Sequence, residues 1–497
     1  MKFFVTTPIY YINAKPHIGH CYTTIAADCL AKYHRMTGKD VFFLTGTDEH
    51  GDKIAQAAKE KGVVVEDFIN EMAEVFKKMW EKLDISYSRF IRTTEKEHKD
   101  TVRNVFKKLM DNGDIYLGEY SGYYCVPCEC FIPKAKIDEK NPMCPDCRRP
   151  VKILKEKSYF FRLSKYAKPL IEYLDSNPNI IQPAFRQDEV KNFILQGLND
   201  LSVTRPNTVW GIESPTPEKY SVYVWFDALL NYLTGAEYSD GKTNTFWPPD
   251  VQLLGKDILR FHAIIWPAML MALGMELPGK IFAHGWWTVG KEKMSKSKGN
   301  VIDPAYLIER FGTDGFRYFL LSEVPFGLDG EYSEEKFIKR FNSDLANDLG
   351  NLTNRTLNLV EKLLNGFIPD MFISSQMEKL FDRTIANVDK FMNCVAFSEA
   401  LNEIWKLISE LNRLLDTEKP WSAPFQSAKQ TIAQCISGIG MISLLIYPAM
   451  PATSRKIWKM LDIEIQEDKV SLSKEILNFL SGRKTGKREI LFMRVKT

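Results

Sequence analysis

Two short apolar runs separated by one helical pattern open the chain, and that order leaves few folds available. Lys2-Phe3-Phe4-Val5-Thr6-Thr7 reads as a buried strand. Residues 21–36 carry small and apolar side chains at helical spacing and stop at Gly38, a glycine suited to a C-cap. Asp40-Val41-Phe42-Phe43-Leu44-Thr45 reads as a second strand. A strand, a helix and a strand in that order lie as a parallel pair with a crossover, so an α/β fold is expected. Pro16-His17-Ile18-Gly19-His20 stands where the first strand hands over to its helix. The unpaired N–H groups and partial positive charge of a helix start suit phosphate. Gly19 has no side chain, so a flat ring such as adenine can lie against the backbone there.

The rhythm continues downstream. Thr45-Gly46-Thr47-Asp48-Glu49-His50-Gly51 ends a strand in a polar turn. Asp48 there can meet a cationic group at the carboxyl end of a parallel sheet, or cap the helix that starts near Lys53, or both. Residues 64–83 and 95–112 read as amphipathic helices, 223–229 as a strand and 252–257 as a strand running into a loop. A helix over 258–273 would bring Ile258, Phe261, His262 and Trp266 onto connected faces. With Ile9, Tyr11, Trp225, Ala228 and Tyr232 they form an apolar, aromatic set suited to a flexible thioether. The stretch from Gly235 to Thr243 imitates a phosphate loop, but five residues separate its glycines where that motif needs four, so a surface turn is expected. Beyond Gly327 the pattern is helical, with an apolar stripe at Phe337, Phe341, Leu345, Leu349 and Leu352 and with Asn351 and Arg355 on its flank. Helical segments over 377–415 and 427–447 are broken at Lys419-Pro420-Trp421, and the tail over 483–496 is basic.

Cys125-Val126-Pro127-Cys128 and Cys144-Pro145-Asp146-Cys147 are separated by fifteen residues. Two tight turns at that spacing each present two thiolates to a tetrahedral ion. Cys125, Cys128, Cys144 and Cys147 are therefore expected to bind one structural Zn²⁺, with no open position for chemistry. Nine cysteines, an odd number mostly outside these pairs, speak for a reducing compartment and against disulfides. With 497 residues the chain is too long for one core. A net charge of only +3 requires any nucleic-acid partner to be held by local basic patches. No apolar run reaches membrane-spanning length, so no membrane partner is expected. The first strand starts almost at Met1, leaving no room for a targeting segment, and a cytoplasmic protein is expected.

Lys293-Met294-Ser295-Lys296-Ser297-Lys298-Gly299 is a second basic motif far from the first. Together, and in this order, the two resemble the paired signatures of class I aminoacyl-tRNA synthetases. The match extends over residues 11–20, 46–51, 224–228, 255–258 with Phe261, His262 and Trp266, then 284–286 and 293–297, and there the chain resembles the methionyl-tRNA synthetases. The isoleucine, leucine and valine enzymes carry a large editing insertion for which this chain has no room. In the cysteine enzyme the zinc lies in the amino-acid pocket, whereas the tetrathiolate pattern here is closed. An RNA-binding protein that has lost catalysis would not need His17, His20, Asp48, Lys293 and Lys296 together.

The resemblance implies a Rossmann-like parallel-sheet catalytic domain (1–115 and 206–290) with an inserted zinc-binding connective domain (116–205). A lysine-loop and stem-contact region (291–335) and an α-helical anticodon-binding bundle (336–497) would follow. It implies activation of L-methionine with ATP and Mg²⁺ to methionyl-adenylate, then transfer to tRNA(Met). His17, His20, Lys293 and Lys296 would be catalytic, and with Gly19 and Asp257 they would bind ATP. Asp48 would hold the ammonium group of methionine, and Ile9, Tyr11, Trp225, Ala228, Tyr232, Ile258, Phe261, His262 and Trp266 would complete its site. Arg205 matches an arginine near the substrate site in the family pattern. Asn351, Arg355 and Trp421 would read the anticodon. Without the appended dimerisation domain of some relatives, a monomer is expected.

Overall fold

The computed structural model describes residues 1–126, 130–132, 137–138, 141–145, 147–206, 208–239, 241–290, 292–293, 302–466, 470–472, 477 and 480–496. Its central element is the strand Lys2–Thr6, flanked by Asp40–Asp48 on one side and Val251–Gly255 on the other. Arg89–Arg92 lies outside Asp40–Asp48, while Ile281–His284 and then Ile181–Gln182 continue the other half. Tyr10–Tyr11 extends the line of the first strand along Thr47 and Asp48. Every pairing in this seven-stranded sheet is parallel.

Side-chain alternation along these strands divides two cores. Phe3 and Val5 pack with Phe43 and Leu253 on one face, and Phe4 packs with Leu44, Leu254 and Ala283 on the other. The first face receives the helix Ile18–Met36, whose Cys21, Ile25, Ala26 and Cys29 are buried. The C-terminal helices, from Pro304–Ser322 to Pro451–Met460, belong to that same core. The stripe Phe337, Phe341, Leu345, Leu349 and Leu352 is buried within it. The second face receives the helix Lys96–Asp111 and an insertion built on a four-stranded sheet, in which Cys130–Ile132, Ile115–Cys125, Lys152–Phe161 and Leu201–Ser202 run antiparallel. From Lys2–Thr6 and Val251–Gly255 the sheet is built outward in opposite directions, which leaves a crevice beyond their carboxyl ends.

Two expected elements differ. Residues 223–229, aromatic and β-branched enough to read as a strand, form the helix Val224–Leu229. Here tertiary contacts override propensity, because Phe226 packs on Phe106 behind the helix. The helix expected over 258–273 is instead a tight turn at Lys256–Ile258, a widened π-helical turn at Phe261–Ile265 and an α-helix at Trp266–Leu273. Pro267 offers no backbone N–H to the preceding turn, and the helix widens there. The stretch resembling a phosphate loop is a turn, with Ser239 and Lys242 exchanging backbone hydrogen bonds and Gly241 at φ 83°.

Arg317 fastens the two halves of the molecule. Its guanidinium, wholly buried, donates to Asp28 Oδ2 (2.7 Å) on the first crossover helix and to the Leu83 carbonyl (2.9 Å). It also donates to the Pro448 and Ala449 carbonyls (both 2.8 Å) before the last helix. Burial alone would raise the carboxyl pKa of Asp28, but Lys32 and Arg317 pull it down to about 2. Removing one partner of such a pair costs about 3–5 kcal/mol. Arg317→Met should therefore lower the thermal midpoint by several degrees at pH 7. A carboxylate with a depressed pKa stabilises the fold above its unfolded value of about 3.9 and loses that contribution as pH falls toward 2. The gap between wild type and variant in thermal melts should accordingly close between pH 4 and 2.

Candidate active site

A cavity of about 440 Å³ opens at the carboxyl ends of the central strands. One end is built on the start of the helix Ile18–Met36. His17 caps it, with Nδ1 accepting from the Gly19 N–H (3.0 Å), while the His17 N–H donates to His20 Nδ1 over a longer 3.4 Å. The two imidazoles stack at 3.7 Å. Because both Nδ1 atoms accept, the neutral rings carry their protons on Nε2. The first turn holds no acidic side chain to offset the positive end of the helix. A Cβ on Gly19 would lie 2.9 Å from His17 Cε1, so any larger residue would displace the capping ring. Asp257, exposed at the end of Val251–Gly255, accepts from Trp286 Nε1 (2.9 Å). A Cβ on Gly255 would stand 2.8 Å from its Oδ1.

The other end combines one carboxylate with an apolar wall. Asp48 lines the cavity, whereas the next two side chains enter buried ionic clusters. Glu49 accepts from Arg92 Nε (2.7 Å) and Nη2 (3.0 Å), and His50 Nδ1 meets Asp227 Oδ2 at 2.7 Å. The other oxygen of Asp227 takes His98 Nε2 at 2.7 Å. Burial opposes its ionisation, but the two imidazoles hold the Asp227 carboxyl at about 2. Ile9, Tyr11, Trp225, Ala228, Tyr232, Ile258 and His262 line this end. Burial pushes the His262 imidazole down to about 4, so the ring is neutral at pH 7. Its Nδ1 donates to the Ile258 carbonyl (3.0 Å), which leaves Nε2 to accept from the Tyr232 hydroxyl (2.8 Å).

Phe261 and Trp266, expected in the pocket, are not among its lining residues and stand behind it instead. Phe261 stacks on Trp225 at 3.7 Å and 5°, and Trp266, fully buried, backs Tyr232 at 5.6 Å. Arg205 is not on the lining either: it lies over the Tyr223 ring at 4.1 Å and donates to Ser202 and Thr204. Thr23, Lys53, Asn231 and His284 line the cavity without having been singled out. Thr23 Oγ1 meets His284 Nε2 at 2.6 Å across a separation of 261 residues, which no local pattern announces.

Lys293 lies in the strand Glu292–Lys293, paired with Trp287–Val289 beside the cavity. Its side chain and the whole of Lys296 lie outside the described residues. So does Cys128. Cys125, Cys144 and Cys147 converge, with sulfur atoms within 4.8 Å of one another and 3.4 Å between Cys125 and Cys147. Tetrahedral zinc with Zn–S near 2.3 Å requires sulfur separations of about 3.8 Å. The three thiols, Cys125 and Cys144 of them buried, fit that requirement. A tight turn sets the second pair: the Arg148 N–H donates to the Cys144 carbonyl (2.9 Å), with Arg148 at φ 57°. Far from the cavity, Arg355 lies 5.5 Å above the Trp421 ring and donates to Asp416 (2.7 Å). Trp421 is 51% exposed, and Asn351 is exposed one turn before Arg355.

The family model described as "tRNA synthetases class I (M)" matches residues 3–357. A methionine–tRNA ligase of Caldanaerobacter subterraneus is 46% identical over 99% of this chain and 79% of its own length. One from Clostridium tetani is 47% identical over 93% of this chain and 74% of its own. Among solved structures, Mycobacterium tuberculosis methionyl-tRNA synthetase in complex with methionyl-adenylate superposes with a TM-score of 0.93 at 39% identity, covering 99% of this chain and 100% of that one.

The cysteine cluster yields its own test. Purified protein should carry one zinc per chain by atomic absorption. Cys144→Ser should lose most of it and lower the thermal midpoint, while the cavity at the sheet keeps its ligand affinity. Retention of full zinc by that variant would exclude Cys144 as a ligand.

Proposed function

The chain belongs to the methionyl-tRNA synthetases of class I, and from that premise we infer how its residues divide the reaction. It activates L-methionine with ATP, releasing pyrophosphate, and transfers the methionyl group to the terminal adenosine of tRNA(Met). The observation that carries the assignment of residues is one cavity with a phosphate-suited helix start at one end and a carboxylate facing an aromatic wall at the other.

In the first step a carboxylate oxygen of methionine attacks the α-phosphorus and pyrophosphate departs. Negative charge grows on the phosphate oxygens, and catalysis rests on cations and N–H donors aimed at it. His17 and His20 donate from Nε2 at a rigid helix start, and Gly19 lets adenine approach the backbone. Asp257 takes the ribose hydroxyls. Lys293 and Lys296 contact the triphosphate as it becomes most charged, which raises rate more than affinity. Mg²⁺ bound with ATP would neutralise the β- and γ-phosphates. Asp48 holds the substrate ammonium. Ile9, Tyr11, Trp225, Ala228, Tyr232, Ile258 and the neutral His262 enclose the thioether, and Phe261 and Trp266 support that wall. In the second step the terminal ribose hydroxyl of tRNA, the 2′-hydroxyl in class I enzymes, attacks the carbonyl carbon and AMP leaves.

Residues 1–115 and 206–290 serve catalysis, 116–205 form the zinc-bearing connective insertion, 291–335 carry the lysine loop and stem contacts, and 336–497 serve the anticodon. Trp421 stacks on an unpaired base, while Arg355 and Asn351 read edges or phosphate. Zinc held by Cys125, Cys128, Cys144 and Cys147 would be structural. No described helix is long and apolar enough to cross a membrane, and translation calls for a cytoplasmic site of action.

Amino-acid-dependent ATP–pyrophosphate exchange without tRNA, run across all twenty amino acids, tests the reading. Exchange with methionine alone is expected. Lys296→Ala should cut the exchange rate by about 10²–10³-fold and leave methionine affinity almost intact. Lost methionine affinity with preserved turnover would refute that role. Trp421→Ala should spare exchange and raise the KM for tRNA roughly tenfold or more, as loss of one stacked base requires. Equal loss in both steps would remove Trp421 from the anticodon site.

A further inference from the structure

We propose that Asp227, clamped between His50 and His98, is a positioning residue that sets the spacing between the two walls of the methionine subsite. The inference rests on the assignment of the Asp48 and Trp225 end of the cavity to methionine. Those walls come from separate parts of the chain: Asp48 ends the strand Asp40–Asp48, and Trp225 and Ala228 stand on the helix Val224–Leu229. His50 follows Asp48 by two residues, and Asp227 lies between Trp225 and Ala228. The 2.7 Å contact of His50 Nδ1 with Asp227 Oδ2 therefore ties one wall to the other.

The second oxygen of the same carboxylate is held by His98 Nε2, from the helix Lys96–Asp111. His98 Nδ1 in turn meets Thr234 Oγ1 at 3.0 Å, on the short helix that also carries Asn231 and Tyr232 of the cavity. Three chain segments thus meet at one carboxylate and a fourth is joined to them through His98, and three of the four supply cavity residues. Asp227, His50, His98 and Thr234 are all buried, and none of His50, His98 and Asp227 lines the cavity.

Stability alone does not call for such a cluster. The helix Val224–Leu229 is already packed from behind by Phe226 on Phe106. A buried ionic cluster adds little to stability over apolar packing of the same volume. What it adds is direction, because short charge-assisted bonds fix angles that apolar contacts leave loose. The depressed pKa of Asp227 agrees with a charged carboxylate at every working pH.

A residue that places Asp48 and Trp225 alters binding of methionine equally in ground and transition states, which moves KM and leaves kcat. The test is ATP–pyrophosphate exchange by the full chain. His98→Leu removes the donor to Asp227 without touching the cavity, and His98→Gln restores an N–H at a similar reach. His98→Leu is expected to raise the KM for methionine about tenfold with kcat and the KM for ATP within about twofold, and His98→Gln to recover most of the loss. An unchanged methionine KM in folded His98→Leu overturns the proposal. So does a parallel fall of kcat and both affinities, or a failure of glutamine to rescue. Should His98→Leu not fold, Thr234→Val decides, since it keeps shape and removes the hydroxyl that meets His98 Nδ1 and also donates to the Leu230 carbonyl of its own helix. A rise of about two- to threefold in methionine KM alone supports the proposal, and no rise refutes it. Trp225→Ala in the same assay separates the two levels. If it leaves the methionine KM unchanged, the subsite reading fails and takes this inference with it; if it raises that KM while His98→Leu does not, only this inference fails.

Discussion

The buried guanidinium of Arg317 is the interaction on which the relation between the two halves depends. A charge without water must find an acceptor for each of its N–H groups or lose several kcal/mol. Arg317 finds Asp28 on the first crossover helix and three carbonyls, of Leu83, Pro448 and Ala449, in segments that could otherwise pack at many angles. Apolar packing supplies the bulk of the cohesion, since the helix Ile18–Met36 shares one core with the C-terminal helices. The guanidinium fixes which packing is adopted. The helix that presents His17 and His20 at its start is the same helix that carries Asp28, so that end of the cavity and the C-terminal helices share a rigid part.

A similar logic repeats around the cavity on a smaller scale. In Asp48-Glu49-His50, three consecutive polar side chains have three destinations. Asp48 faces the cavity, Glu49 is bonded to Arg92, and His50 to Asp227. The latter two are buried and paired, so the backbone between them has little freedom, and the cavity-lining carboxylate of Asp48, proposed above to hold the substrate ammonium, inherits that order. On the opposite wall Trp225 has Phe261 stacked behind it, and Tyr232 has Trp266. Residues lining the cavity are thus backed by residues that do not line it.

What was legible in the sequence was what is local. The first strand, the crossover helix and the second strand could be read because apolar periodicity is a property of neighbouring residues, and the observed elements Lys2–Thr6, Ile18–Met36 and Asp40–Asp48 follow that reading closely. The cysteine pairs could be read because metal ligation constrains spacing, and three of the four sulfurs converge where the fourth lies outside the described residues. The helix Val224–Leu229 was misread because its composition favours a strand while its surroundings demand a helix. A regular helix puts Phe261 and Trp266 on connected faces with Ile258 and His262, whereas the chain forms a wide turn at Phe261–Ile265 and neither Phe261 nor Trp266 is among the residues lining the cavity. The contact of His50 and His98 through Asp227 spans 177 and 129 residues, and nothing in a local window could announce it.

The chemistry of the amino-acid wall follows from how its polar groups are spent. His262 is neutral, its Nδ1 proton goes to a backbone carbonyl, and its Nε2 accepts the Tyr232 hydroxyl. The pair is satisfied internally, so on the proposed reading neither His262 nor Tyr232 is left to receive a charge or a hydroxyl desolvated against Trp225, Ala228 and Ile258. On that reading, polar amino acids would be disfavoured by the cost of an unpaired group, the stronger form of discrimination. Apolar chains of the same length are a harder case. Replacing sulfur by methylene forfeits only sulfur–aromatic contacts of about 0.3–1.5 kcal/mol, which corresponds to about tenfold or less in affinity. On the proposed reading, branched side chains would meet the flat ring of Trp225, which Phe261 backs by stacking. On that reading the stack behind the wall would contribute to selectivity along with the wall itself, because it limits how far the tryptophan can swing.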